Sequence, residues 1–196
     1  MLTISKKNVV EFKKDKKFDE VFNNFRWVLT GRENNQYGKE IFKCVYIDEK
    51  NIVCTDAKRL FIIDNNIYET PIESGLYKVV ENSSKTITLV ENPLDAIFPN
   101  YKKIIPDAEN IKLFFECTSG FRETTLSKIF ASFYKTFPKQ KIFAFNPEYL
   151  KQAIGNSYKF EISVSIKEGQ YCNMSPILVT SEKRMALIMP ICIEEY

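Results

Sequence analysis

Asp48, Asp56, Asp64 and Glu161 are the side chains here with the chemistry to gather a divalent cation for phosphodiester cleavage. They are scattered over expected turns and lack ligand spacing, so a metal-dependent phosphodiesterase or nuclease is a minor alternative. Histidine is absent from all 196 residues. That removes Ser-His and Cys-His nucleophile pairs, the His-Glu-x-x-His zinc site and the usual proton shuttle near neutral pH. Glycine occurs six times, never as a phosphate-cradling loop. Catalysis would rest on Asp, Glu, Lys, Cys or Tyr alone. Neither a cofactor nor a metal is implied.

The five cysteines, Cys44, Cys54, Cys117, Cys172 and Cys192, form no C-x-x-C pair, and four lie in or beside apolar or β-prone runs. This favours reduced, mostly buried thiols in a reducing compartment. No apolar run reaches the ~18 residues of a membrane span, and the N-terminus lacks a signal-peptide pattern. The expectation is a soluble cytoplasmic protein without a membrane partner. A hydrophobic content of 44% suits one large core or two cores of about 90 to 100 residues. The net charge of +3 is modest for a nucleic-acid binder. It is uneven, with Lys6, Lys7, Lys13, Lys14, Lys16 and Lys17 facing only Glu11 and Asp15 in the first 17 residues. That segment either touches phosphates non-specifically or shields a sheet edge with lysine.

Two short stretches hold most of the functional information: Cys54-Thr-Asp-Ala-Lys-Arg-Leu60 and Ala186-Leu-Ile-Met-Pro-Ile191. Between them lie Phe98-Pro-Asn-Tyr-Lys-Lys-Ile-Ile-Pro106 and Phe145-Asn-Pro-Glu-Tyr-Leu150. The elements around them follow from periodicity. Residues 18 to 31 space Phe18, Val21, Phe22, Phe25, Val28 and Leu29 as one helical face, with Gly31 placed to stop the helix. Asp19, Glu20, Asn23, Asn24 and Arg26 fall outward. Short β-prone runs follow at 40–47, 51–55, 59–63, 76–80 and 86–90, the last two as a hairpin. Three prolines between Asn92 and Asp107 mark the connection between domains.

Beyond it, 111–117 reads as a strand and 125–137 as a helix with Leu126, Ile129, Phe130, Phe133 and Phe137 on one face. A strand over 141–145 leads to a helix with Asn146 as N-cap, Pro147 at its first position and Gly155 past its end. Residues 159–166 alternate as a half-buried strand, and 176–180 with 185–193 close the sheet as a hairpin. The class is α+β.

Taken in order, these segments resemble the bacterial sliding clamp, the beta subunit of DNA polymerase III. In that family a strand ends in an alanine- or cysteine-type residue followed by Thr-Asp-Gly-His-Arg-Leu. Here Thr55, Asp56, Arg59 and Leu60 are kept, and Ala57 and Lys58 replace Gly and His. The family linker Phe-Pro-Asp-Tyr-Arg-Arg-hydrophobic-hydrophobic-Pro is similar to residues 98–106. Phe145-Asn-Pro-Glu-Tyr-Leu150, Ser175-Pro-Ile-Leu-Val179 and Leu187-Ile-Met-Pro-Ile191 follow the order of its last domain.

The resemblance implies two tandem DNA-clamp-like domains of antiparallel sheet with few amphipathic helices. Residues 1–105 correspond to the middle clamp domain and 106–196 to an abbreviated last one, with no counterpart of the first. It further implies an inter-domain cleft for partner peptides, built from Thr55, Arg59, Leu60, Pro99, Ile104, Leu187, Ile188, Met189, Pro190 and Ile191. Apolar walls would take Leu and Phe anchors, Met189 would adapt its shape, and Arg59 would hold a peptide carbonyl or carboxylate at the rim.

Phosphate-facing candidates are Lys13, Lys14, Lys16, Lys17, Arg26, Lys128, Lys135 and Lys151. The implied function is a non-enzymatic processivity factor in DNA replication, binding DNA weakly without sequence preference and tethering a polymerase or other replication protein. It could close a homo-oligomeric ring, as trimeric clamps do, or stay monomeric. The alternative within the fold is a non-encircling module or decoy that binds clamp-recognising proteins.

Overall fold

The computed structural model describes residues 2–4, 9–15, 19–31, 40–67, 71–92, 97–105, 111–116, 123–136, 145–155, 159–164, 176–181 and 184–190. The chain divides into two compact units, Met1–Asn100 and Tyr101–Tyr196.

In the first unit the strands are β1 (Leu2–Ile4), β2 (Val9–Lys13), β3 (Cys44–Ile47), β4 (Asn51–Thr55), β5 (Arg59–Asp64), β6 (Gly75–Asn82) and β7 (Thr86–Glu91). They pair antiparallel in the order β1-β2-β7-β6-β3-β4-β5. Helix α1 (Asp19–Gly31) packs on β4, β5 and β6. Phe22, Phe25, Val28 and Leu29 bury their side chains, as the helical spacing predicts. Phe25 sits between Phe12 and Phe61, with ring centroids 5.5 and 6.5 Å away, and so ties β2 to β5 through the helix.

Several sequence expectations change here. Asn24, placed outward, is buried. Glu40–Lys43 form a 3-10 turn rather than the start of a strand, closed by a 2.6 Å Lys43–Glu40 ion pair. The basic N-terminal segment contains β2, a strand flanked by β1 and β7, which charge alone concealed. Phe18 lies outside the described residues.

Strand β6 carries a bulge. Val79 pairs with Leu89 and Glu81 with Thr88, so Val80 is the extra residue and stands exposed. Beyond it Asn82 opposes Ile87 and donates to Thr30 Oγ1 of α1 at 3.3 Å. Asn65 closes the loop after β5. Its amide donates to the Asp48 and Ile72 carbonyls (3.2 and 2.9 Å) and accepts from the Ile72 N–H (3.0 Å) while almost fully buried.

The second unit holds β8 (Ile111–Glu116), α2 (Glu123–Thr136), α3 (Pro147–Ile154), β9 (Lys159–Val164), β10 (Ile177–Ser181) and β11 (Arg184–Ile188). The strands run antiparallel in the order β8-β9-β10-β11. Ile129 and Phe133 of α2 are buried, and Phe130 stacks on Phe145 at 5.3 Å. Helix α3 begins as read from the sequence, with Asn146 accepting from the Glu148 N–H at 2.9 Å, and ends at Gly155 with φ 56°. It packs on β10 and β11, where buried Arg184 donates to the Ile154 carbonyl (2.7 Å) and to Ser181 Oγ (2.9 Å). A cation thus meets the negative end of the helix. The expected strand residues 141–144, with Phe137, Ser175 and 191–193, lie outside the described residues. No described helix is long and apolar enough to cross a membrane.

Both units are antiparallel sheets with helices against them, the α+β class expected. Replacing Asn65 by Ala strands the buried Ile72 carbonyl and N–H and the half-buried Asp48 carbonyl, and should cost about 2 kcal/mol in urea unfolding. An unchanged midpoint would remove Asn65 from its place as the loop's organiser.

Candidate functional site

The hairpin joining β4 to β5 is short because Thr55 pairs with Leu60 and the Asp56 N–H reaches the Arg59 carbonyl at 3.2 Å. Only Ala57 and Lys58 remain to turn the chain. Asp56 organises that turn, its Oδ1 accepting from the N–H groups of Lys58 (3.0 Å) and Arg59 (2.7 Å). Thr55 Oγ1 donates to the Arg59 carbonyl at 2.7 Å and accepts from the Ala57 N–H at 3.1 Å. Ala57 adopts φ 70°, a conformation that favours glycine. Glycine, which the resembling pattern has at this position, would adopt that conformation without the Cβ strain.

Strand alternation then separates residues that are neighbours in sequence. Arg59 and Phe61 share the face of β5 covered by α1, where the guanidinium lies 4.0 Å from the centre of the Trp27 ring. Asp56 Oδ2 accepts from Arg59 Nε at 2.7 Å and also pairs with Nη2 of the same guanidinium, with both residues only 4% exposed. Arg59 is thus a buried, paired cation beneath the hairpin rather than a rim group, because alternation turns it to the helix. Thr55 and Leu60 fall on the opposite face.

The same division holds at β11. Arg184, Ala186 and Ile188 share the parity of the α3 face, since Arg184 reaches Ile154, whereas Leu187 has the opposite parity. Met189 follows the strand and is 37% exposed, with Pro190 half-buried beside it. Pro99 and Ile104 are exposed, the latter at 45%. Just before Pro99, Phe98 stacks on Tyr46 at 5.2 Å, and Tyr101, between Pro99 and Ile104, is buried. Ile191 lies outside the described residues.

The basic candidates are less uniform than their charge suggests. Lys128 and Lys135 are exposed on α2, and Lys13 and Lys14 at the end of β2. Lys13 lies 3.5 Å from Glu11 and Lys151 3.8 Å from Glu148, weak exposed pairs. Arg26 is half-buried with its Nε shut off from solvent, so it does not stand outward as read from the sequence. Lys16 and Lys17 lie outside the described residues.

No group of three carboxylate, cysteine or histidine side chains placed for a metal occurs among the described residues. Asp48 caps its turn through the Lys50 and Asn51 N–H groups, Asp64 caps Asn66, and Asp56 serves Arg59.

Sequence periodicity missed Trp27, Asn65 and Arg184. Trp27 had a signal: it is the only tryptophan and falls off the stripe that anchors α1. Ala57→Gly should raise unfolding stability by about 1 kcal/mol by relieving the positive φ. Asp56→Ala should lower it by about 3 kcal/mol by leaving Arg59 buried without its partner. Urea titration checks both, and equal effects of the two would contradict the geometry.

No family model and no curated relative matches the chain. Solved structures do. The chain is similar to the DNA polymerase III beta subunit of Thermotoga maritima at 11% identity and a TM-score of 0.55, covering 99% of this chain and 68% of that one. For the beta chain of Streptococcus pneumoniae the values are 14%, 0.55, 98% and 67%. For the Borrelia burgdorferi subunit, solved with a natural product, they are 16%, 0.54, 98% and 66%. The chain spans about two thirds of their length. At these identities what is shared is architecture, and the chain has the fold of the bacterial polymerase III beta sliding clamps.

Proposed function

We propose that this chain is a clamp-like accessory factor of DNA replication, without catalysis of its own, which tethers a polymerase or another replication protein to DNA. The observation that carries the reading is the fold shared with bacterial beta clamps over nearly the whole chain. The motif order found in the sequence supports it.

In this reading the residues that take a short partner peptide are Thr55, Leu60 and Pro99 in the first unit and Ile104, Leu187, Met189, Pro190 and Ile191 in the second. Met189 and Ile104 are the exposed apolar members and would meet Leu or Phe anchors directly. Arg59 acts from beneath, holding the hairpin in shape through Asp56 and Trp27. Ile188 is assigned to the core under α3.

Lys128 and Lys135, with Lys13, Lys14, Lys16, Lys17 and Lys151, supply loose, salt-sensitive contacts to phosphate. Arg26 contributes least to that set, because it is half-buried. A non-encircling module that binds clamp-recognising proteins is the second reading. It is favoured by the pairing of Lys13 and Lys151 with glutamates, which thins the basic surface.

Light scattering across a concentration series separates the two. A defined closed oligomer retained on circular but not linearised DNA is expected for the clamp, and a monomer at every concentration would move the assignment to the module. For the peptide site, titration with a synthetic pentapeptide bearing Leu and Phe anchors can be followed by calorimetry. Met189→Ala should weaken binding about tenfold with unchanged stability. Ile188→Ala should instead lower stability by about 2 to 4 kcal/mol. Unchanged affinity in Met189→Ala would reject the site.

A further inference from the structure

Helix α2 presents a face that combines cations with an aromatic ring. Ser127, Lys128, Ala131, Tyr134 and Lys135 are exposed, and Tyr134 keeps 51% of its surface in solvent. Ile129 and Phe133 are buried on the other side. The spacing makes the exposed five one patch. Ser127 and Lys128 precede Ala131 by four and three residues, and Tyr134 and Lys135 follow it by three and four, so all border it on the helix surface. Alanine leaves a shallow floor with the phenol ring on one side and the two ammonium groups on the other. The lysines stand two turns apart, about 10 Å along the axis.

Carboxylates are kept away from this patch. The only one in α2 is Glu123, its first residue, which is three or four residues from neither lysine. Lys128 and Lys135 make no ion pair among the described residues. The other described helices lack the combination. Trp27 of α1 is half-buried against Arg59, and on α3 Tyr149 is half-buried while Lys151 pairs with Glu148.

A ring and cations side by side match a ligand with both a π-face and phosphates. In duplex DNA the bases cover one another and offer a helix surface only phosphates and groove edges. An unpaired nucleotide offers base and phosphate together. We infer that the exposed face of α2 binds single-stranded DNA, with a base stacked on Tyr134 and the adjoining phosphates held by Lys128 and Lys135. This rests on the phosphate-contact reading of the two lysines above and names its ligand; it requires neither the peptide site nor ring closure.

The test is fluorescence anisotropy of the full chain with three labelled probes of equal length: an oligothymidylate, an abasic strand and a duplex. The oligothymidylate should bind most tightly at low salt. Tyr134→Ala should weaken it about tenfold, the scale of one lost base stack, and leave the other two probes unchanged. Tyr134→Trp should retain the binding. Lys128→Gln together with Lys135→Gln should weaken all three probes and lower the slope of log affinity against log salt by about 1. All three side chains are exposed, so the substitutions spare the fold, which circular dichroism checks. Unchanged oligothymidylate binding in Tyr134→Ala, or an equal loss with every probe, overturns the stacking site and leaves the phosphate contacts standing. Equal or tighter binding of the duplex by the unaltered chain overturns the single-strand assignment. If no probe binds, the phosphate-contact reading fails and the inference falls with it.

Discussion

A carboxylate and a guanidinium removed from water together set the form of the β4–β5 hairpin. Burying either alone would cost several kcal/mol, so Asp56 and Arg59 are confined to arrangements in which they meet. The carboxylate's second oxygen is committed to the main chain of the turn, and the planar face of the cation rests on Trp27. Loop, strand and helix are thereby fixed by one charge pair. The residues proposed to touch a partner, Thr55 and Leu60, gain their orientation from this pair without being part of it.

Much of this architecture was legible because the periodicities are strong. Phe22, Phe25, Val28 and Leu29 announced α1, and Asn146, Pro147 and Gly155 bracketed α3, since caps act locally and their chemistry is written in adjacent residues. The strand within the lysine-rich N-terminal segment was obscured because its partners, β1 and β7, include one far along the chain. Composition sees charge, whereas pairing is decided by Val10 and Phe12 facing the core. The turn at Glu40–Lys43 shows the opposite failure: β-prone residues yielded to a local ion pair and a helical turn.

The site was legible in membership more than in geometry. Motif order gathered Thr55, Arg59 and Leu60, yet a strand sends consecutive side chains to opposite faces, so Arg59 went to the helix and Leu60 away from it. Ile188 and Leu187 parted in the same way. A motif lists neighbours, and the pleat decides which of them can act on the same molecule. Buried polar side chains such as Asn65 and Arg184 give no periodic signal at all, because their partners are carbonyls brought close only by folding.

The bulge at Val80 divides β6 into two phases. Before it odd-numbered residues, Tyr77 and Val79, share the face of Leu89; after it the even-numbered Asn82 does, and so reaches Thr30. Losing that single residue would heal the ladder with Glu81 still opposite Thr88 and Asn82 still opposite Ile87, whereas keeping Val80 in a regular ladder would bring Glu81 against the helix and send Asn82 to water. The bulge is thus a device for absorbing one residue: it lets β6 carry an extra position without turning the end of the strand over, whatever side chain stands there.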